Sequence, residues 1–176
     1  KDKFALLGRP AWSPDGREIA IAIEKDSSVE IALISAETGA RRPLKTSSSP
    51  TADLAWSPDG RFLAYDYMES LHTRQIRISS ADGRRESLVV SGQASAHVAG
   101  WAPAGDRLLF FSDREGTEGM WSVTVTDGKA SGEPTLVRRD LWQSYPIGTS
   151  RSGVFYTVTT ETPSLFVATV DLEHAL

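Results

Sequence analysis

Short runs of apolar residues recur along the chain, separated by stretches rich in glycine, proline and polar residues. Three of these runs carry apolar side chains at successive positions, at Ile19–Ile23, Phe62–Tyr65 and Leu108–Phe111. Short β-branched and aromatic runs of this kind favour strands that are covered on both faces. A helix would need apolar residues every three or four positions over a longer stretch, and no such stretch occurs. The pattern predicts an all-β protein.

A second set of strand-like runs follows the first, at Ile31–Ile34, Ile76–Ile78 and Trp121–Val125. Each leads to a Thr-Gly or Asp-Gly pair, where glycine supplies the positive φ of a tight hairpin. The segment after the first hairpin, Arg42–Lys45, is polar and contains proline, as expected of an edge strand. Each unit is therefore predicted to fold as a four-stranded antiparallel sheet.

The same local sequence recurs at a fixed interval. Trp12, Trp56 and Trp101 lie 44 and 45 positions apart, and the hairpin residues Gly39, Gly83 and Gly128 repeat with the same spacing. A period of about 40 to 45 residues that holds four strands is typical of a β-propeller blade. The chain is thus predicted to be a set of propeller blades, at about 4–47, 48–91, 92–138 and 139–176. The last is incomplete: it lacks the Trp and Asp, and its strands are expected near 145–156 and Leu165–Val170.

The string Trp-Ser-Pro-Asp-Gly-Arg before an apolar strand, at Trp12 and Trp56, resembles the WD40-like (PD40) repeats of TolB-type propellers. The segment Phe111–Gly116 is similar to the same family, and related repeats form the propellers of prolyl-oligopeptidase-type peptidases. The resemblance implies six blades in the first group and seven or eight in the second, so the chain is expected to form part of a six- to eight-bladed ring. The third unit departs from the motif, because Ala104 replaces the turn aspartate.

The repeated residues have structural interpretations. We expect Asp15 and Asp59 to accept hydrogen bonds from turn amides, which we favour over a metal or catalytic carboxylate set because one residue per blade is spread around a ring. The three repeat tryptophans are predicted to pack between blades rather than to form a stacking surface. Trp142 lies outside the repeat phase, and a surface role and a packing role remain open for it.

Composition removes several classes of function. The formal charge of −4 arises from 19 basic and 23 acidic residues in mixed order, which gives no basic stripe for nucleic acid. There is no cysteine, so disulfides and thiolate zinc sites are excluded, although the compartment stays undecided. No apolar run approaches the roughly 20 residues of a membrane span. The chain begins with Lys1 and without a signal-peptide pattern, so we expect a piece of a longer protein.

No catalytic residue, metal site or cofactor is predicted. His72, His97 and His174 show no ligand spacing. His97 is interpreted as a solvated loop histidine, with a position facing the central channel as the alternative. The segment Gly148–Gly153 lacks the Gly-x-Ser-x-Gly spacing of a nucleophile elbow. The acidic residues Asp113, Glu115 and Glu118 fit an exposed loop better than a cation site.

The resemblance to TolB implies a non-catalytic module that binds a protein or peptide partner. In this fold the loops before the innermost strands, including the Ser47–Pro50 stretch, are expected to bind the partner. The candidate binding residues are Arg9, Ser48, Ser49, Ser95, His97, Trp142 and Tyr145. The alternatives are part of a peptidase's gating propeller, whose catalytic domain lies outside this chain, and a lactonase-type propeller with a central metal. Open blade faces leave apolar surface in water, which costs a free energy of about 25 cal/mol per Å². Self-association through the terminal blades is therefore also expected.

Overall fold

The computed structural model describes residues 5–25, 28–49, 53–139, 141, 144–150 and 153–158. All regular elements in these residues are β-strands, which confirms the all-β prediction. The strands are β1 Ala5–Trp12, β2 Glu18–Lys25, β3 Ser28–Ser35, β4 Arg41–Ser47, β5 Leu54–Trp56, β6 Phe62–Ser70, β7 Thr73–Ser80, β8 Glu86–Val90, β9 Ala96–Trp101, β10 Arg107–Ser112, β11 Gly119–Thr126, β12 Lys129–Arg138, β13 Ser144–Ser150 and β14 Gly153–Val158. The three predicted apolar runs lie in β2, β6 and β10, and the second set lies in β3, β7 and β11.

The strands pair in sequence order within each repeat. Three antiparallel sheets have the orders β1-β2-β3-β4, β5-β6-β7-β8 and β9-β10-β11-β12, and β13 pairs with β14. This is the meander of a propeller blade, so the predicted fold class is confirmed. The strand expected at Leu165–Val170 lies outside the described residues. Among the described residues there is no helix with the length and hydrophobicity needed to cross a membrane.

The hydrophobic core lies between neighbouring sheets. One cluster joins the first two sheets and includes Leu33 and Leu63, which have no exposed surface. A second joins the next pair and includes Ile76 and Phe110, which are also fully buried. The middle strands of the second and third sheets have neighbouring residues on both faces, and their side chains are apolar at consecutive positions, as the sequence indicated.

The repeat tryptophans form one recurring contact between sheets. The indole N–H of Trp56 donates to the carbonyl of Ala11 at 3.2 Å, and that of Trp101 donates to the carbonyl of Ala55 at 3.1 Å. Both indoles are buried, with 8% and 2% of their surface exposed. Trp12 stands at the equivalent place in the first sheet but is 60% exposed, so the predicted packing between blades holds for two of the three.

The Ser-Pro-Asp-Gly segments are tight turns that join the first strand of a sheet to the second. In the second sheet, Asp59 accepts hydrogen bonds from the hydroxyl of Ser57 at 2.6 Å and from the amide of Arg61 at 3.0 Å. Gly60 takes a φ of +70°, a conformation that glycine adopts without strain. The turn around Asp15 makes the same pair of bonds. The structural interpretation of the repeated aspartates is therefore confirmed.

Candidate functional site

The first strands of neighbouring sheets bring three polar residues together. Arg9 lies in β1, Asp53 directly precedes β5, and His97 lies in β9, so consecutive members are 44 positions apart. The guanidinium nitrogen Nη2 of Arg9 is 3.8 Å from Oδ1 of Asp53, whose Oδ2 is 3.9 Å from Nδ1 of His97. Because β1, β5 and β9 are equivalent strands of successive repeats, one position per repeat supplies one member of the group.

A fourth residue, Asp66, completes this polar cluster from the neighbouring strand β6. Its amide donates to the carbonyl of Asp53 at 3.3 Å, which holds the two aspartates side by side. The Asp66 side chain has no exposed surface. Its carboxylate accepts a hydrogen bond from Arg74 Nη1 at 2.9 Å and one from the amide of Val98 at 3.3 Å. A buried carboxylate needs such partners, so the Asp66–Arg74 pair fixes this part of the sheet.

Burial shifts the pKa values of Asp53 and His97. Desolvation, followed by the negative charge of Asp66, raises the pKa of Asp53 to about 6. Burial, followed by the positive charge of Arg74, lowers the pKa of His97 below its usual value. His97 is therefore neutral at pH 7, and its contacts with Asp53 and Asp66 are not ion pairs there.

A cleft of about 490 Å³ adjoins the cluster, and Arg9 and Asp53 form part of its lining. The remaining wall comes mainly from the same inner strands and the turns that follow them, with Ile147 from β13. Small residues occupy the position before each repeat tryptophan, and all three line the cleft. The small and proline members of the lining are Ala11, Ala55, Ala99, Gly100, Gly148, Pro10, Pro14, Pro58 and Pro103.

The acidic members of the cluster bear on whether a cation fits there. Ligand atoms of Asp53, Asp66 and His97 all lie within 4.8 Å of one another, close enough to face one positive group. Arg9 and Arg74 already supply positive charge to the two carboxylates. The sequence-based expectation of no metal and no cofactor stays a prediction.

The structure brings together three of the residues nominated from sequence. Arg9 and His97 are members of the cluster, and the hydroxyl of Ser95 lies 3.5 Å from Nε2 of His97. The preferred interpretation of His97 as a solvated loop residue is wrong, because it lies in β9 and packs against buried charge. The alternative, a position facing the central channel, stays a prediction.

The other nominated residues lie elsewhere. Ser48 is exposed just after β4, whereas Ser49 lines a separate cavity of about 160 Å³ between the first two sheets. Tyr145 lies in β13 and is 60% exposed. Trp142 lies outside the described residues. A binding role for these residues stays a prediction.

Two other segments considered from sequence have structural roles. Asp113 accepts a hydrogen bond from the amide of Ser95 at 2.9 Å, and Glu115 pairs with Arg139 at 2.6 Å, as expected of an ordinary loop. Residues Gly148 to Ser150 belong to β13, so they do not form a turn that leads into a helix.

Sequence reasoning missed Asp53 and Asp66. The signal for Asp53 was the repeat itself, because it lies 44 positions after Arg9 and 44 before His97. The signal for Asp66 was an aspartate within the apolar run of β6, where an unpaired charge is too costly.

Comparisons with solved structures give the fold. TolB from Acinetobacter baumannii is 20% identical with a TM-score of 0.64, and the match covers 86% of this chain and 36% of that one. The propeller domain of the Trilobed protease from Pyrococcus furiosus is 18% identical with a TM-score of 0.62, covering 94% of this chain and 53% of that one. An oligogalacturonate lyase in complex with manganese is 12% identical with a TM-score of 0.63, and the match covers 77% of this chain and 42% of the lyase. The chain therefore spans about a third to a half of these relatives.

No curated protein sequence matches the chain significantly. The model of the TolB beta propeller domain, however, matches residues 6–136, which hold all three repeat tryptophans and the whole polar cluster. On this match, the chain belongs to the TolB beta propeller family.

Proposed function

We propose that this chain is part of a non-catalytic propeller that binds an extended segment of a protein partner in the cleft along its inner strands. The observation that carries the proposal is the cleft, which combines an apolar wall with the polar cluster. Its volume of about 490 Å³ falls within the usual range of ligand sites, about 300 to 1,000 Å³. A mixed lining of this kind suits a peptide, since side chains pack on the apolar wall and polar groups fix the register.

The polar cluster superficially resembles a serine, histidine and aspartate triad, but its geometry supports a binding role. Ser95 Oγ lies 3.5 Å from His97 Nε2, and His97 Nδ1 lies 3.9 Å from the nearest oxygen of either aspartate. These separations are at or beyond the limit of a hydrogen bond. The amide of Ser95 is bound to Asp113, so it does not face a developing oxyanion. A fluorophosphonate probe is therefore expected to leave Ser95 unlabelled, which mass spectrometry of the treated protein checks.

Capture of the partner by the full-length protein tests the binding proposal. Ile147 lines the cleft and is 60% exposed, so Ile147→Arg places a long charged side chain in the cleft at little cost in stability. Val137→Arg is the matched control, because Val137 is 54% exposed on β12 and is not part of the cleft lining. We expect Ile147→Arg to lose the partner that wild type and Val137→Arg both retain. Equal retention by all three proteins would refute the proposal.

A second candidate is a propeller that controls access to a peptidase domain outside this chain. The likeness to the Trilobed protease propeller, over 94% of this chain, favours it at the level of fold. The two candidates differ in what accompanies the propeller. A hydrolase domain with serine, aspartate and histidine in the full-length gene would support the peptidase, and its absence would support the binding propeller.

A further inference from the structure

The Asp53 carboxyl contacts the carboxyl of Asp66 and keeps further acceptor capacity beside the cleft. About 20% of its side chain is exposed, and it forms part of the cleft lining. Its closest cationic or imidazole nitrogens, on Arg9 and His97, are 3.8 and 3.9 Å away, longer than a hydrogen bond. A carboxylate offers about four lone-pair sites. A donor that enters the cleft therefore finds an oxygen that the neighbouring cations do not fully engage.

The charges that surround the Asp53 carboxylate favour a positively charged ligand group. Two carboxylates lie side by side, and the fully buried one is already bound to Arg74. The imidazole is neutral at pH 7, so it adds no positive charge of its own. The groups that face the site from each packed element are Arg9 on β1, Asp66 on β6, Arg74 on β7, His97 on β9 and Asp113 after β10.

The wall next to Asp53 suits an aliphatic stem. Leu54 and Ala55 follow Asp53 along the strand, Val98 follows His97, and all three line the cleft. Lysine and arginine place their methylene groups along apolar surface while their charged ends reach a polar partner. An apolar wall that ends at a carboxylate can therefore contact both the methylene groups and the charged end of such a side chain.

We propose that Asp53, the carboxylate of the polar cluster that lines the cleft, is the direct ligand of a basic side chain, lysine or arginine, of the partner's extended segment. The proposal rests on the proposed function and deepens it, since it names the residue type that fixes the segment in the cleft. The attraction is a charge-assisted hydrogen bond formed in a partly desolvated site.

Three blocked pentapeptides test the proposal against the full-length protein by NMR titration. They have the sequence Ala-Ala-X-Ala-Ala, with lysine, norleucine or glutamate at X. We expect the lysine peptide to bind at least about tenfold more tightly than the norleucine peptide, and the glutamate peptide to bind most weakly. The resonance shifts should include the indole N–H groups of Trp56 and Trp101, which lie beside the cleft.

Two variants and one change of pH make the test specific to Asp53. Asp53→Asn should remove the advantage of lysine over norleucine, whereas Asp106→Asn, the same charge change at an exposed turn, should leave it intact. Because protonation removes the Asp53 charge, lysine binding should weaken several-fold from about pH 7.5 to about pH 5. Norleucine binding should change little.

Each possible result decides the matter. Equal binding of lysine and norleucine peptides, no binding of any peptide, or an Asp53→Asn variant that behaves as wild type overturns the inference. Saturable binding of MnCl₂ or ZnCl₂ that excludes the lysine peptide also overturns it, since the cluster would then be a metal site. The proposed function fails separately, when partner capture is indifferent to Ile147→Arg.

Discussion

Replacing Asp53 by asparagine is expected to stabilise the folded protein at neutral pH. The pKa of Asp53 is raised to about 6 by burial and by its neighbour Asp66, against about 3.9 for an unperturbed aspartate. Above pH 6 the folded state contains an ionised Asp53 carboxylate that is partly desolvated and lies beside another negative charge. In the unfolded state the same carboxylate is fully hydrated, so ionisation favours unfolding. Asparagine keeps the shape and cannot ionise, so the variant avoids this cost.

The magnitude follows from the difference in pKa. A difference of about 2, at about 1.4 kcal/mol for each unit, sets an upper bound of about 3 kcal/mol. Solvent reaches about 20% of the side chain, and screening reduces the effect, so we expect a gain of about 1 to 2 kcal/mol at pH 7.5. The gain should vanish below about pH 4, where Asp53 is protonated in the folded and unfolded states alike.

Urea denaturation of wild type and Asp53→Asn between about pH 4 and about pH 8 measures the effect. In folded wild type the Asp53 carboxyl stays protonated up to about pH 6, whereas in the unfolded chain it loses its proton near pH 4. Unfolding between these values therefore releases a proton, and the free energy of unfolding falls as the pH rises from about 4 to about 6. The variant should lack this part of the slope. Asp106→Asn, at an exposed turn, is the control. Parallel curves for wild type and Asp53→Asn, or a less stable variant at pH 7.5, would refute the reasoning.

Three further predictions concern the contacts that hold the sheets together. Trp101→Ala should cost about 3 to 5 kcal/mol in urea denaturation because the indole is 2% exposed, whereas Trp12→Ala, at 60% exposure, should cost less than about 1 kcal/mol; equal costs would contradict this account of the sheet interface. Gly128→Ala should lower stability by about 1 to 3 kcal/mol, because its φ is +78° and a Cβ there would lie 2.6 Å from the Phe62 ring; an unchanged melting temperature would contradict it. Ser57→Ala should cost about 1 to 3 kcal/mol and speed hydrogen exchange at the Phe62 amide, which donates to the Ser57 hydroxyl at 2.9 Å; unchanged exchange would rule this out.

The fold was predictable because its information is local and repeated. Apolar runs such as Ile19–Ile23 need two covered faces, and glycines such as Gly60 occupy positive φ, so each strand and turn has its own signal. The interval between Trp56 and Trp101 then orders the sheets without any knowledge of tertiary contacts.

The candidate site was only partly predictable, because it depends on which side chains meet between sheets. Arg9 and His97 were nominated from their place near the inner strands. Their common neighbour Asp53 was not, since the 44-residue interval that links it to Arg9 and His97 joins three different residue types and so does not stand out as a repeated motif. The apolar run around Asp66 marks it as unusual, but eight positions of sequence separation do not reveal its pairing with Arg74, 2.9 Å away.

The recurring bond from a tryptophan indole to the carbonyl of the preceding sheet has an evolutionary consequence. Donor and acceptor belong to the same short sequence motif, since Ala55 supplies the acceptor for Trp101 while the adjacent Trp56 is a donor. Tandem duplication of one repeat therefore copies both halves of the joint at once, and the new sheet fits its neighbours without further substitutions. The number of blades can then change by whole units over evolutionary time, while the residues of the inner strands diverge independently in each copy.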